Sequence, residues 1–312
     1  MTGLGIGLDV GASKTLGVLV DAVGHVRDEV RLPTAPGVAG VLDTAAAVVQ
    51  RLLGGSDVPF GAVGVGVPGV VDVAAGAVKH AVNLGLDGSW VPMRRLLEQR
   101  LGAPVHLEND VNAAALGATT LVPSDAEEPL DLAYLSIGTG LAAGLVLGGR
   151  LRRGAHGAAG EIGHVPVDPH GARCACGQAG CLEVLASGSR LRRDWPAPEG
   201  VHPGEALFAA AAQGDPRAVA LRDEFASAVA TAVRMLCLTV DVDRVVVGGG
   251  VAQVGEPLRA AVEEQLRLST AGSPFLHSLD VPGRVLLVPR DHPVAAVGAA
   301  MLGMTARQEL RR

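Results

Sequence analysis

Two stretches of this chain read almost alike, and they limit what it can fold into. LDVGASKTLGVLV, beginning at Leu8, and LSIGTGLAAGLVL, beginning at Leu135, align at an offset of 127 residues, with Gly11 matching Gly138 and Gly17 matching Gly144. Each copy sets a glycine-containing turn between two apolar runs of strand type. Such a turn lets backbone N–H groups come close to phosphate oxygens, although an ordinary hairpin would read the same in isolation. With 312 residues, 48% of them hydrophobic, the chain can build a core around each copy. The expectation is a protein of two related halves whose hairpins face one cleft.

Around the first copy, Gly5–Asp9, Leu16–Val20 and His25–Arg31 read as an antiparallel meander, with turn residues at Gly11–Ser13 and Asp21–Gly24. Val38–Leu53 has helical spacing, Ala62–Val67 is a short strand, Pro92–Leu101 a helix and Val105–Leu107 another strand. Asp110 stands where a cap is needed for an Ala-rich helix running to about Thr120. The polar segment from Val122 to Pro129 holds two prolines and no periodicity, so it reads as a surface connection near a domain boundary. A second strand series opens at Leu132, Asp215–Leu238 is a long helix, Arg244–Val247 a short strand and Pro293–Met304 a closing helix.

Composition narrows the partners. The formal net charge is -6, and two Trp, one Tyr and four Phe leave neither a basic track nor stacking platforms, so nucleic acid is not expected to bind. The start carries no basic region followed by a long apolar run, and no apolar window is long enough to span a membrane. A cytoplasmic protein is expected.

The sharpest local signal is His164 followed by Cys174, Cys176 and Cys181. One imidazole and three thiolates complete a tetrahedral Zn²⁺ shell, with Gly177 and Gly180 letting the short loop fold back on the ion. No position is left for a metal-bound water, so the zinc would be structural. A redox pair or buried thiols are the competing reading, and the spacing fits the redox Cys-x-x-Cys pattern poorly. Cys237 lies apart in an apolar stretch and reads as a core residue. Glu161 and Glu183 bracket the cysteine loop. Either could be a solvated surface carboxylate, yet beside a metal-stiffened loop both could accept hydrogen bonds from sugar hydroxyls. If zinc holds one nitrogen of His164, the other can donate to a polar ligand.

Glu108-Asn109-Asp110 falls where an extended run becomes a helix. Asp110 there could be only an N-cap, or it could also point a carboxylate into the crevice where α/β sheets bind ligands. Phosphoryl transfer from ATP to a hydroxyl needs one proton acceptor and little other covalent chemistry. Asp9-Val10-Gly11-Ala12-Ser13-Lys14-Thr15 is a candidate phosphate loop with a carboxylate for Mg²⁺, and Gly248–Gly250 could pass under an adenosine ring or merely turn the chain. Gly64-Val65-Gly66-Val67-Pro68-Gly69 imitates a dinucleotide fingerprint, but Pro68 and the strand-like residues after it open no helix; no P-loop signature exists.

Together these segments resemble the ROK family of repressors, open reading frames and kinases, in particular its bacterial glucokinase-like members, nearly end to end. The resemblance implies an α/β protein with the two-lobed actin-like ATPase (ribonuclease H-like) fold of actin, hexokinase and the heat-shock chaperone ATPases, with a cleft between the lobes and a zinc-stiffened loop. Residues 1–120, completed by a helix in 291–312, would form the small domain and residues 121–290 the large one. The implied activity is a transferase: an ATP-dependent hexose kinase, a glucokinase of carbohydrate metabolism and glycolysis making glucose 6-phosphate, with Asp110 as general base and the lobes closing over sugar and Mg-ATP. Nucleotide would meet Asp9, Gly11, Ser13, Lys14, Thr15, Gly138, Thr139, Gly140, Gly248, Gly249 and Gly250. Sugar would meet Gly69, Asn83, Asn109, Asp110, Glu161, His164 and Glu183. His164, Cys174, Cys176 and Cys181 match the family's zinc motif, and a homodimer or homotetramer is expected. Where the family usually has Gly-Gly-Thr-Lys this chain has Gly11-Ala12-Ser13-Lys14, from which altered nucleotide affinity rather than lost activity is expected. Amino-sugar kinases such as N-acetylmannosamine kinase share the same motifs, and a sugar-sensing regulator without turnover is the reading from another class. The absence of a helix-turn-helix before the first strand weighs against the repressor branch.

Overall fold

The computed structural model describes residues 4–54, 61–86, 88–123 and 129–309. Residues 124–128, where the expected surface connection falls, and 310–312 lie outside them. The described chain divides into two units, one within Met1–Asp125, Arg153–Gly157 and Pro293–Arg312, the other within Ala126–Arg152 and Ala158–His292.

In the first unit, apolar residues alternate or run continuously through β1 (Gly5–Val10) and β2 (Lys14–Val20), which close a hairpin around Gly11–Ser13; β3 (Val26–Pro33) continues the meander. Helix α1 (Gly37–Leu53) buries Val41, Ala45, Val48, Val49 and Leu52, an i, i+4, i+7, i+8, i+11 stripe, and ends where Gly54 takes the left-handed conformation. Next come β4 (Val63–Val67), the small hairpin β5 (Val70–Asp72) and β6 (Ala77–Lys79), α2 (Met93–Leu101), β7 (Val105–Asn109) and α3 (Asp110–Ala118). The sheet runs β3-β2-β1-β4-β7, antiparallel through β1 and parallel beyond it. Since β4 is followed by Pro68, Gly69 and a strand rather than a helix, the apparent dinucleotide motif is not one.

The second unit repeats this plan. Moving β1 and β2 by the 127-residue offset lands them on β8 (Leu132–Ile137) and β9 (Leu141–Leu147). After β10 (Arg150–Leu151) come helices α4 (Gly188–Asp194), α5 (Pro203–Ala212) and α6 (Pro216–Val240), then β11 (Arg244–Gly248), α7 (Glu256–Thr270), α8 (Pro274–Ser278) and β12 (Val285–Leu287). The order is β10-β9-β8-β11-β12, with β8, β11 and β12 parallel. Its core is built from the apolar faces of α6 and α7 against β8 and β11, and includes Phe225 and Cys237. Burial pushes the Cys237 thiol up to about 11, so it behaves as a core residue as expected.

The last helix, α9 (Val294–Glu309), returns to the first unit. It lies so close to β1, β4 and α3 that a Cβ on Gly64 would strike the Ala299 carbonyl, and one on Gly298 the Ala113 carbonyl. These positions need hydrogen as a side chain. Ala296, Val297 and Ala300 pack on Leu16, Val18 and Val20 of β2. Among the described residues no helix is long and apolar enough to cross a membrane.

Candidate functional site

In the first unit the candidate residues gather at the carboxyl ends of β1, β4 and β7, where side chains leaving parallel strands meet the following helix. Asp9, near the end of β1, pairs with Gly66 of β4, and Gly66 in turn packs against the Asp110 backbone. Burial, with the Asp110 carboxylate adding to it, pushes the Asp9 carboxyl up to about 7 against the opposing pull of Lys14. An acidic pair held this way is suited to a cation.

The cap of α3 is a correction to the sequence reading. Asn109, in extended conformation (ψ 143), accepts the Val111 and Asn112 N–H groups on Oδ1, and Asp110 is the first residue of the helix. Its side chain reaches the helix amides because its backbone is still strand-like, which Asp110's is not. Asp110 Oδ1 accepts the Val111 N–H at 2.9 Å. Asn109 Nδ2 donates to the Gly69 carbonyl at 3.1 Å, which brings two of the expected sugar residues together. Gly69 has φ 93 and presses on the backbone of Lys79–Ala81, two residues before Asn83, which is exposed in the 3-10 turn Val82–Leu84.

The first turn is exposed at Ala12, Ser13 and Lys14. Gly11 N–H donates to the Lys14 carbonyl, and Thr34 N–H to the Ser13 carbonyl. Thr15 is buried, with its hydroxyl 2.9 Å from that of Thr34 and its backbone paired with Val10 and Leu32, so the open part of the turn is Ala12–Lys14.

In the second unit the turn Gly138–Gly140 is fastened on two sides. Gly188 N–H donates to the Gly138 carbonyl at 2.8 Å, and the Ser189 hydroxyl to the Thr139 carbonyl at 2.7 Å. Leu141 N–H donates to Glu183 Oε2 at 3.0 Å. Gly248–Gly250 ends the neighbouring β11, with Gly249 (φ 84) against the Ile137 backbone, so the second turn and the candidate adenosine segment adjoin.

His164, Cys174, Cys176 and Cys181 bring their ligand atoms within 4.8 Å of one another. Cys176 and Cys181 sulfurs stand 3.6 Å apart, and Cys174 Sγ lies 3.7 Å from His164 Nδ1. Tetrahedral zinc with Zn–S bonds of about 2.3 Å separates its sulfurs by about 3.8 Å, so this donor set fits the ion. The loop closes through Cys174 N–H to the Gln178 carbonyl and through left-handed Gly177 (φ 95) and Gly180 (φ 69), as the sequence suggested. Hydrogen bonds from Gln178 pull the Cys176 thiol down to about 6, while burial pushes Cys181 upward. Zinc takes cysteine ligands as thiolates, so loading this site would release protons.

With His164 Nδ1 turned to the thiols, its Nε2 faces Glu161 Oε2 at 4.0 Å. Glu183 also touches both neighbours, its Oε1 lying 3.8 Å from Cys174 Sγ. Thus the cysteine loop, Glu161, His164, Glu183 and the second turn form one connected group.

A residue not foreseen is Arg153, whose Nη2 and Nε reach Glu108 Oε2 at 2.6 and 2.7 Å. Glu108 is 1% exposed. The pair spans 45 residues, and no local pattern marks it.

Known proteins carry the same plan. The glucokinase of Streptomyces coelicolor is 30% identical over 323 residues, spanning 97% of this chain and 95% of that protein. The N-acetylmannosamine kinase of Escherichia coli is 31% identical over 302 residues, spanning 95% and 97%. The crystal structure of a ROK family glucokinase from Streptomyces griseus, in complex with glucose and AMPPNP, superposes with a TM-score of 0.79 at 32% identity over 97% of this chain and 100% of that one. The α/β fold is the actin-like one of these kinases. The ROK family model matches residues 5–305, and with the paired five-stranded sheets and the cysteine–histidine cluster in place, the chain belongs to the ROK family.

Proposed function

We propose that this protein is an ATP-dependent sugar kinase that phosphorylates a hexose, with glucose as preferred acceptor, glucose 6-phosphate as product and Asp110 as general base. The observation that carries the reading is the pair Asp9 and Asp110 at the carboxyl ends of the parallel strands β1 and β7, one beside a glycine turn and the other opening a helix. Residues 1–120 with 291–312, and residues 121–290, serve as its two domains, and the enzyme works in the cytoplasm as a homodimer or homotetramer.

Asp110 accepts the proton of the attacking sugar hydroxyl as the γ-phosphoryl group moves in line, a contribution of about 10²–10⁴-fold in rate. Main-chain amides at Gly11–Thr15 and Gly138–Gly140 neutralise phosphate charge, Lys14 adds a cation at the first turn, and Gly248–Gly250 leave room for the adenosine. Glu161, His164, Glu183, Asn83, Asn109 and Gly69 hold the ring hydroxyls and orient the acceptor. Mg²⁺, held through Asp9, would supply charge neutralisation on the phosphates. Zn²⁺ on His164, Cys174, Cys176 and Cys181 would keep His164 and its neighbours in place.

The similar identity to an N-acetylmannosamine kinase favours a second reading, an amino-sugar acceptor at the same site. A coupled ATP assay over glucose, mannose and N-acetylmannosamine decides between them. Glucose is expected to give the highest kcat/KM, and a clear preference for N-acetylmannosamine would select the second reading. Failure of every sugar in the panel to drive ATP consumption would leave a sugar-sensing regulator. In the same assay Asp110→Asn is expected to lower kcat by about 10²–10⁴-fold with sugar affinity, measured by calorimetry, changed far less. Near-normal kcat would remove Asp110 from the role of base.

A further inference from the structure

The segment Arg153–Gly157 belongs to the first unit although the chain enters it from Arg152 and leaves it for Ala158, both in the second. What fastens it is the Arg153 guanidinium on Glu108. Glu108 is no ordinary partner, because it is the residue two before Asp110 and almost wholly buried. Its other oxygen, Oε1, accepts the Asn109 N–H and the Asn112 Nδ2, each at 3.0 Å. Two donors from Arg153 and two from the Glu108–Asn112 segment therefore meet on one carboxylate. Glu108 is buried while the Arg153 side chain is partly exposed, so removing the guanidinium leaves a buried carboxylate without its opposite charge. Through Asn109 the same network reaches the cap of α3 and the Gly69 carbonyl.

We infer that Arg153 is a positioning residue for Asp110: it fixes Glu108, Glu108 fixes Asn109 and Asn112, and these set the first turn of α3 where Asp110 begins. The inference rests on the reading of Asp110 as general base. Its chemistry is geometric, since neither Arg153 nor Glu108 need touch substrate. A shift of about 1 Å in a base, caused from outside the reacting groups, can cost on the order of 100-fold in rate.

Arg153→Met keeps the apolar stem and removes both donors. It is expected to lower kcat by about 100-fold while the KM values for sugar and ATP stay within about threefold, and to speed exchange of the Val111 and Asn112 amides at least about tenfold. Adding Glu108→Gln removes the stranded charge and is expected to recover at least about tenfold of the lost kcat, a non-additivity that marks direct coupling. The double variant also covers the case in which Arg153→Met folds poorly. A lower Tm with normal kcat per folded molecule and unchanged amide rates would make the pair merely structural and overturn the inference, as would strict additivity of the two substitutions. A wild-type protein that phosphorylates no sugar would instead overturn the kinase reading, and the two amide rates would still decide whether Arg153 positions α3.

Discussion

The two glycine turns occupy the same place in the same strand order, yet they are built differently. The first, Gly11–Ser13, is exposed, lies between Asp9 and Lys14, and has Asp110 close by. The second, Gly138–Gly140, has no ionisable side chain of its own and is tied down by the first amides of α4 and by Glu183. The two copies share a backbone plan, with charge beside one and tethering at the other. One turn is suited to handle a cation and a proton. The other is held still, since Glu183 connects it to the cysteine loop.

The largest test of that division removes the metal ligands. Protein prepared without chelators is expected to hold about one zinc per chain, and Cys176→Ser to lose it. Sugar affinity should then fall by about 10–100-fold in calorimetry, because His164 and Glu183 lose their support, while hydrogen exchange in β1 and β2 stays unchanged. Equal loosening of both turns would break the comparison.

A smaller effect separates the turns by pH. The Asp9 carboxyl, raised to about 7, takes up a proton as pH falls below that value. Its hold on a cation should weaken there, and kcat/KM for Mg-ATP should fall about fivefold from pH 7 to pH 6. Raising Mg²⁺ should move this limb to lower pH, because metal and proton compete for one group. Asp9→Asn should abolish the limb at the cost of basal activity. The sign is opposite for stability: an acid whose folded value is raised above the unfolded 3.8 loses stability as pH climbs from about 4 to 7, and Asp9→Asn should flatten that slope in thermal melts.

The smallest effect is expected at Ala12. It is exposed and absent from the residues with left-handed backbone, so alanine fits this turn without strain. Ala12→Gly should change the ATP KM by no more than about threefold and lower stability by about 0.5–1 kcal/mol through added chain freedom. A tenfold change in KM would show that the methyl group meets the phosphates.

Much of this was legible in the sequence because it is local. The two turns declare themselves through glycine between apolar runs, α1 through its buried stripe, and the metal cluster through cysteine spacing with Gly177 and Gly180 at the bends. What was not legible depends on a single dihedral or on distance along the chain. Capping passed from Asp110 to Asn109 because the strand runs two residues further than its apolar pattern indicates. Arg153 and Glu108 find each other only in the folded unit. Val70–Asp72 reads as strand-like, but its partner β6 and the short strand β12 carry too few residues for periodicity to show.

Helix α9 gives the order of chain segments a meaning during synthesis. All of the second unit has been synthesised by His292, whereas the first unit, although its strands are made earliest, lacks the helix that covers Gly7 and Gly64 until residues 293–309 follow. The half made first is therefore finished last. Until then its sheet keeps an apolar face open to water, the kind of surface that nascent-chain chaperones shield.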